Sequence, residues 1–272
     1  MANQKVSRAR PETVREYGKT IDFGRTAADY GRHRADFPPA LFDRLVAMGV
    51  ARPGMRALDL GTGTGALARG LALRGCDVTG LDRSALLMAE AARLDREANV
   101  TIRYVQAEAE DTNLDQASSE LVTAGQCWHW FDRARTAAEA RRLLVPGGHL
   151  AICHFDWLSS AGNMVEATEH LIMKHNPAWK LGGTFGVYPR WLRDLAEAGF
   201  SEIESFSFDV TVSYSHEAWR GRIRASAGIG ASLGPEQIAA FDTEHATMLR
   251  QRFPREPMLV PHRVFAAIGA AP

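Results

Sequence analysis

The feature that most constrains this chain is the run Asp59-Leu60-Gly61-Thr62-Gly63-Thr64-Gly65, placed between a short apolar stretch (56–60, RALDL) and a stretch with helical spacing (65–73). Alternate glycines let a backbone turn tightly with positive φ and approach a ligand closely. The helix that follows offers unpaired N–H groups at its start. A strand that runs through such a turn into a helix must cross back over a sheet, so the next strand lies parallel to the first.

The rest of the first half agrees with that start. Strands are predicted over 77–81, 100–105, 120–124 and 150–155, separated by helices over 85–97 and 133–144, with Pro146-Gly147-Gly148 before the fifth strand. This alternation means an open α/β sheet. Upstream, Pro38 and Pro39 suit a helix start, and Leu41, Phe42, Leu45 and Val46 recur at helical spacing. Residues 1–20 are polar and read as a loose arm. After Phe155 the pattern changes. Residues 156–190 are expected to be irregular, 191–198 a helix, 203–212 a strand, about 216–228 and 235–251 helices, and 264–268 a last strand.

Composition narrows the class. In 272 residues, 32 Lys+Arg balance 32 Asp+Glu, and 46% are hydrophobic. That is an ordinary globular composition without the concentrated basic face a phosphate-backbone binder needs, so nucleic acid is not an expected partner. The three cysteines, Cys76, Cys127 and Cys153, are far apart and read as small core residues, with no spacing for a metal. No apolar run of membrane length occurs, and the expectation is a cytoplasmic protein, monomer or homodimer.

Seventeen residues beyond Gly65, Asp82 ends the second strand, where a carboxylate can accept from both ribose hydroxyls of a nucleoside ligand. Gly61-x-Gly63-x-x-Ala66 formally fits a dinucleotide fingerprint, so an NAD(P)-dependent dehydrogenase is one reading. S-adenosylmethionine (SAM) is the other. It has no phosphate and carries an ammonium and a sulfonium, so it needs an anion such as Asp59 at the strand end.

Four elements in order, LDLGTGTG, GLD, AEAED (107–111) and LLVPGGHLAI (143–152), resemble the class I SAM-dependent methyltransferases, in the small-molecule group that includes trans-aconitate methyltransferase-like and ubiquinone-pathway enzymes. The resemblance covers roughly residues 23–268. It implies a doubly wound, Rossmann-like seven-stranded sheet of order 3-2-1-4-5-7-6 with the last strand antiparallel. The chain would then be a single methyltransferase domain over 1–272, with 1–48 a helical lid, 54–155 the SAM-binding core, and 156–190 and 213–257 insertions forming a helical cap. Carried over by position, Asp59 and Gly61 would meet the amino-acid end of SAM and Asp82 its ribose, with Gly63 a further cofactor-binding residue of the turn. Glu108 and Ala109 would meet the adenine, with Gln126 beside the donor. Tyr30 and Arg34 would lie near the SAM carboxylate, in a Y-x-x-x-R entry that here continues Ala35-Asp36-Phe37 where the family has Pro-x-Tyr.

The substrate side is read from strand ends, because the ligand crevice of an open α/β sheet lies beyond the carboxyl ends of its strands. Gln126-Cys127-Trp128-His129-Trp130-Phe131 follows the fourth strand and His154-Phe155-Asp156-Trp157 the fifth. Trp128, Trp130, Phe155 and Trp157 are therefore candidate substrate contacts. His129 is the candidate general base and His154 the alternative, each with a structural imidazole as its bland counterpart. The run Arg220-Gly221-Arg222-Ile223-Arg224 reads as a solvated helix face, with an acidic substrate as the other possibility. The N/D-P-P-Y signature of amino-methylating macromolecular enzymes is missing near 126–129. The expected reaction is methyl transfer to a hydroxyl, amine or carbon of a small aromatic metabolite, in the manner of secondary metabolism. A non-catalytic SAM-binding protein is the remaining alternative.

Overall fold

The computed structural model describes Phe23, residues 31–33 and residues 35–272. Tyr30, Arg34 and the arm over 1–20 lie outside the described residues.

Seven strands form one sheet in the order β3-β2-β1-β4-β5-β7-β6. β1 (Arg56–Leu60), β2 (Asp77–Asp82), β3 (Arg103–Gln106), β4 (Ser119–Gly125) and β5 (Leu144–Trp157) run parallel. β7 (Met258–Ala270) is antiparallel both to β5 and to the edge strand β6 (Ser201–Tyr214). The helices are α1 (Pro39–Ala47), α2 (Ala66–Ala72), α3 (Ala85–Glu97), α4 (Arg133–Leu143), α5 (Met164–His175), α6 (Pro189–Glu197), α7 (His216–Arg224) and α8 (Pro235–Arg252).

Alternation along the strands sorts the core into two layers. Ala57, Val78, Leu121, Ala151, Cys153 and Phe155 pack under α1 and α2 with Leu41, Phe42, Leu45, Leu67 and Leu71. Leu58, Leu60, Val122, Ala124, Leu150 and Ile152 pack on the other face against Ala137, Ala140 and Leu143 of α4 and Trp191 and Leu195 of α6. A third cluster joins Val165, Ile172, Trp219, Ile223, Phe241 and Leu249, so α5, α7 and α8 pack on one another, resting on Tyr214, Met258 and Val260. All three cysteines are buried and unpaired by disulfides. Among the described residues no helix is long and apolar enough to cross a membrane.

Several boundaries differ from expectation for local reasons. The third strand starts at Arg103 rather than residue 100, because the Val100 N–H still bonds the Asp95 carbonyl of α3 and Asn99 closes the helix at φ 53°. Pro146-Gly147-Gly148 does not precede β5 but lies inside it. The β4–β5 register slips between Ser119 and Leu121, and the glycines absorb the bulge. Residues 156–190 contain α5, whose N-terminus is capped by the Asn163 side chain accepting from the Glu166 N–H at 2.9 Å. α7 stops at Arg224, well before residue 228. Val46 of α1 faces outward rather than joining Leu41, Phe42 and Leu45.

Candidate active site

The glycine run forms the turn from β1 to α2. Gly61 and Gly63 have φ of 61° and 56°, the left-handed region that side chains resist. A Cβ on Gly61 would stand 2.8 Å from Cζ of Phe131 and 3.0 Å from Sγ of Cys127, whereas one on Gly63 would meet nothing closer than 4.0 Å. Gly61 is thus required by packing and Gly63 by the backbone and the open space before it. The turn is pinned on two sides. The Gly63 N–H donates to Oδ2 of Asp82 at 2.9 Å and the Thr62 N–H to the Leu81 carbonyl at 2.9 Å. From below, both terminal nitrogens of buried Arg69 donate to the Thr64 carbonyl at 3.2 Å, and Nη1 also pairs with Asp95 at 2.9 Å. The Tyr104 hydroxyl completes this brace by donating to Asp95 at 2.7 Å.

Two carboxylates face the turn. Asp59 is only 1% exposed, and the Thr123 hydroxyl donates to it at 2.7 Å. Burial pushes its pKa up to about 6, and the Asp82 charge adds to that against the lowering hydrogen bonds. Asp82 is also raised by burial, despite hydrogen bonds from the Ser84 and Gly63 N–H groups. Each Asp82 oxygen accepts one of these bonds, at 2.8 and 2.9 Å. A carboxylate oxygen can accept more than one bond, which leaves capacity for a ligand hydroxyl. Glu108 and Ala109 lie on the turn after β3, where Glu108 bridges to Asp111. Gln126 follows β4 at φ 60°, an uncommon conformation for a non-glycine residue, held by its N–H on the Cys153 carbonyl at 2.9 Å.

These residues line one cavity of about 660 Å³. Asp59, Gly61, Gly63, Asp82, Glu108, Ala109 and Gln126 form one end, and His129, Trp130, His154 and Trp157 lie along its continuation. The volume falls in the range of small-molecule sites. The first end fits a cationic nucleoside. It has a desolvated carboxylate for an ammonium, a paired carboxylate for two hydroxyls, and a glycine whose missing side chain leaves room. The turn presents carboxylates where a pyrophosphate would need donors. Among the described residues no group of three His, Cys, Asp or Glu could hold a metal.

Two predicted substrate contacts are corrected. Trp128 is fully buried in the core under α4, and its indole N–H donates to Asp194 at 3.0 Å. Phe155 is 3% exposed and points into the α1/α2 layer, because its neighbours His154 and Asp156 take the opposite side of β5. It packs on Phe37, ring centroids 6.2 Å apart, and Phe37 is the ring that reaches the cavity.

His129 lies against Trp130 with ring centroids 4.4 Å apart and planes tilted by 49°, and meets His154 edge-on at 5.5 Å. His154 Nε2 lies 3.0 Å from Oδ1 of Asp156, and Trp157 donates its indole N–H to buried Glu169 at 2.8 Å. Asp156, Tyr188 and Arg222 also line the cavity; sequence places Asp156 at the strand end without a role of its own and does not single out Tyr188. The Asp156 position was legible as the second residue after His154 on one strand. Tyr188 lies in the segment expected to be irregular, and Arg222 in the run that reads as a solvated helix face or, alternatively, as contacts for an acidic substrate. Arg220 and Arg224 do pair with Asp242, whereas Arg222 is buried with its guanidinium 4.7 Å from the Trp157 ring centre.

Known proteins share parts of this sequence and its fold. Residues 58–152 match the family described as a methyltransferase domain. An uncharacterized methyltransferase of Mycobacterium bovis is 32% identical over 152 residues, 54% of this chain and 59% of the relative. A malonyl-[acyl-carrier protein] O-methyltransferase of Enterobacter lignolyticus is 38% identical over 130 residues, 47% of this chain and 50% of the relative. The matched stretch thus spans about half the length of these relatives. A solved structure from Anaeromyxobacter dehalogenans, described as a candidate type II methyltransferase, superposes with a TM-score of 0.61 at 25% identity, covering 88% of this chain and 97% of that one.

Proposed function

We propose that this chain, which belongs to the class I SAM-dependent methyltransferases, transfers the methyl group of SAM to a hydroxyl, amine or carbon of a small aromatic molecule. The observation that carries this reading is the continuity of one cavity from the Asp59/Asp82 end to the ring-lined end at His129, His154 and Trp157. Two ligands bound end to end in such a space meet without intervening water, which converts a bimolecular reaction into an aligned one.

When bound, SAM supplies an electrophilic methyl group on a positively charged sulfur. The chain's own residues hold and orient it. Asp59 balances the ammonium, Asp82 takes the ribose hydroxyls, and Glu108 and the Ala109 N–H address the adenine. At the other end Trp130, Trp157, Tyr188 and Phe37 offer ring faces to a flat acceptor. Lys180 and Arg190 stand exposed at the rim and Arg222 is buried inside it, which favours an acceptor that also carries an acidic group. In this reading α5, α7 and α8 form the cap that keeps water from the acceptor.

Calorimetric titration with S-adenosylhomocysteine (SAH), with NADH and NADPH as controls, tests the donor. Micromolar or tighter SAH binding that Asp82→Ala abolishes is the expected result. Binding of NAD(P)H without SAH would overturn the assignment. Mass-spectrometric detection of methylated products from a panel of hydroxylated and aminated aromatic acids separates a methyltransferase from a protein that only binds SAM.

A further inference from the structure

We propose that His154 is the proton acceptor of this site, held in its reactive tautomer by Asp156, and that the acceptor substrate it serves is an aromatic hydroxyl. The inference rests on the methyl-transfer reading and names the acceptor class within it.

His154 and Asp156 are two residues apart at the carboxyl end of β5, so both project from the same face of the strand. Nε2 of His154 meets Oδ1 of Asp156 at 3.0 Å. The other oxygen of Asp156 accepts from the Thr184 hydroxyl at 3.2 Å and from the Tyr188 hydroxyl. Burial would raise the Asp156 carboxyl, but the His154 ring, the Tyr188 hydroxyl and His129 outweigh it and hold the group below the usual carboxylate range. A carboxylate surrounded by donors can only accept, so Nε2 carries the hydrogen and the lone pair of the neutral ring lies on Nδ1.

Nδ1 is buried and has no hydrogen-bond partner among the described residues. A buried acceptor left in this state costs stability unless a ligand meets it. The ring lines the cavity between Tyr188 (4.7 Å), Trp191 (5.4 Å) and His129 (5.5 Å). Tyr188 and Trp191 are themselves stacked at 4.1 Å and fix the wall against which the imidazole rests. Asp156 and Tyr188 thus act as positioning residues, because they reach the reacting atoms only through His154.

The class of acceptor follows from the proton inventory. A carboxylate brings no proton to the reaction, and an amine can shed its proton after the methyl has arrived. A hydroxyl must lose it as the new bond forms, and phenols, with a pKa of about 10, lie within reach of an imidazole base where aliphatic alcohols do not. In the proposed step the hydroxyl oxygen bonds to the methyl carbon, and the carbon–sulfur bond breaks with its electron pair left on sulfur. The hydroxyl proton passes to Nδ1, and Asp156 stabilises the imidazolium until solvent removes the proton.

The test uses the whole chain labelled with 15N-histidine, with His154→Gln assigning the ring signals. At a pH where the ring is neutral, His154 should show a protonated Nε2 and a bare Nδ1, and Asp156→Leu should give a mixture of tautomers. A protonated Nδ1 in the wild-type protein overturns the proposal even if Asp156→Leu does not fold. SAH titration runs in parallel. Affinity unchanged within about threefold in His154→Gln is expected, whereas a wild-type protein that binds no SAH removes the methyl-transfer reading itself. With SAM and either benzoate or 3,4-dihydroxybenzoate, methylation on a ring oxygen supports the hydroxyl assignment, and a methyl ester from benzoate refutes it. On a hydroxylated acceptor, His154→Gln should lower kcat by about 10²–10⁴-fold with the KM for SAM little changed.

Discussion

Donor binding should be coupled to the ionisation of Asp59, and the coupling can be sized from its surroundings. Burial lifts this carboxyl from 3.8 to about 6 in the protein without a cation beside it. A ligand ammonium binds the ionised form, so SAH affinity should rise with pH and level off above about pH 7. At pH 5 roughly one site in eleven is ionised, so the apparent Kd there should be about tenfold weaker than on the plateau. The sign for stability is the opposite. A raised carboxyl pKa means the folded protein binds more protons than the unfolded chain between about pH 4 and 6. Stability therefore falls as pH rises through that window, by about 3 kcal/mol when complete.

Calorimetry of SAH binding from pH 5 to 8, in buffers of different ionisation enthalpy, reads the proton release directly. Asp82 is shifted in the same direction, so the wild-type slope alone does not isolate Asp59. Asp59→Asn does. Its side-chain oxygen can still accept from Thr123, the Asp59 share of the slope should vanish, and plateau affinity should fall. Because a desolvated charge has been removed, the melting temperature of the ligand-free variant at pH 7.5 should equal or exceed the wild type. A wild-type affinity flat from pH 5 to 7.5, or an Asp59→Asn slope equal to the wild type, would refute the reasoning.

Other substitutions separate binding from packing. Gly63→Ala should weaken SAH about tenfold or more by calorimetry, because its Cβ enters the cavity, while backbone strain costs only about 1–2 kcal/mol in urea unfolding. Trp128→Phe should cost about 1–3 kcal/mol from lost volume and a lost bond to Asp194, with SAH affinity unchanged. Arg69→Met leaves buried Asp95 without its countercharge, so about 3–5 kcal/mol should be lost in urea unfolding. Tyr104→Phe should cost about 1 kcal/mol, because Arg69 still holds Asp95.

The sheet was legible because each part of its signal is local. Apolar runs of strand length, helical spacing and glycine punctuation report on neighbouring residues, and the strict alternation up to Phe155 leaves one handedness for the crossovers. The placement of the glycine turn was legible for a similar reason, since the Asp59–Gly65 turn and Asp82 are tied to the ends of β1 and β2, which pair directly. The ring-lined end of the cavity is assembled from distant segments, and there sequence gives a position along the chain but no rotation about it. Trp128 and His129 are adjacent in a three-residue turn, yet one enters the core and the other the cavity. Two signals were present and unused. Asn163-x-x-Glu166 marks the start of α5, and the period of two along β5 already separates Phe155 from His154 and Asp156.

That period also explains how the two ends of the cavity are coupled to different layers. On one side of β5, Phe155 is packed against Phe37, so the segment leading into α1 is fixed by the α1/α2 core that also supports the glycine turn. On the other side, His154 and Asp156 are fixed by Tyr188 and Trp191 at the start of α6. Trp157, the last residue of the strand, is held from a third direction by Glu169 of α5 and Arg222 of α7. A change in α5 or α7 should therefore reach the ring-lined end through Trp157 without moving Asp59, Asp82 or the turn between them. The Asp59/Asp82 end is built from β1 and β2 and their own hydrogen bonds, independently of the helices over the ring-lined end. The match to a methyltransferase domain lies on the β1 side of this division, over residues 58–152, from β1 into β5.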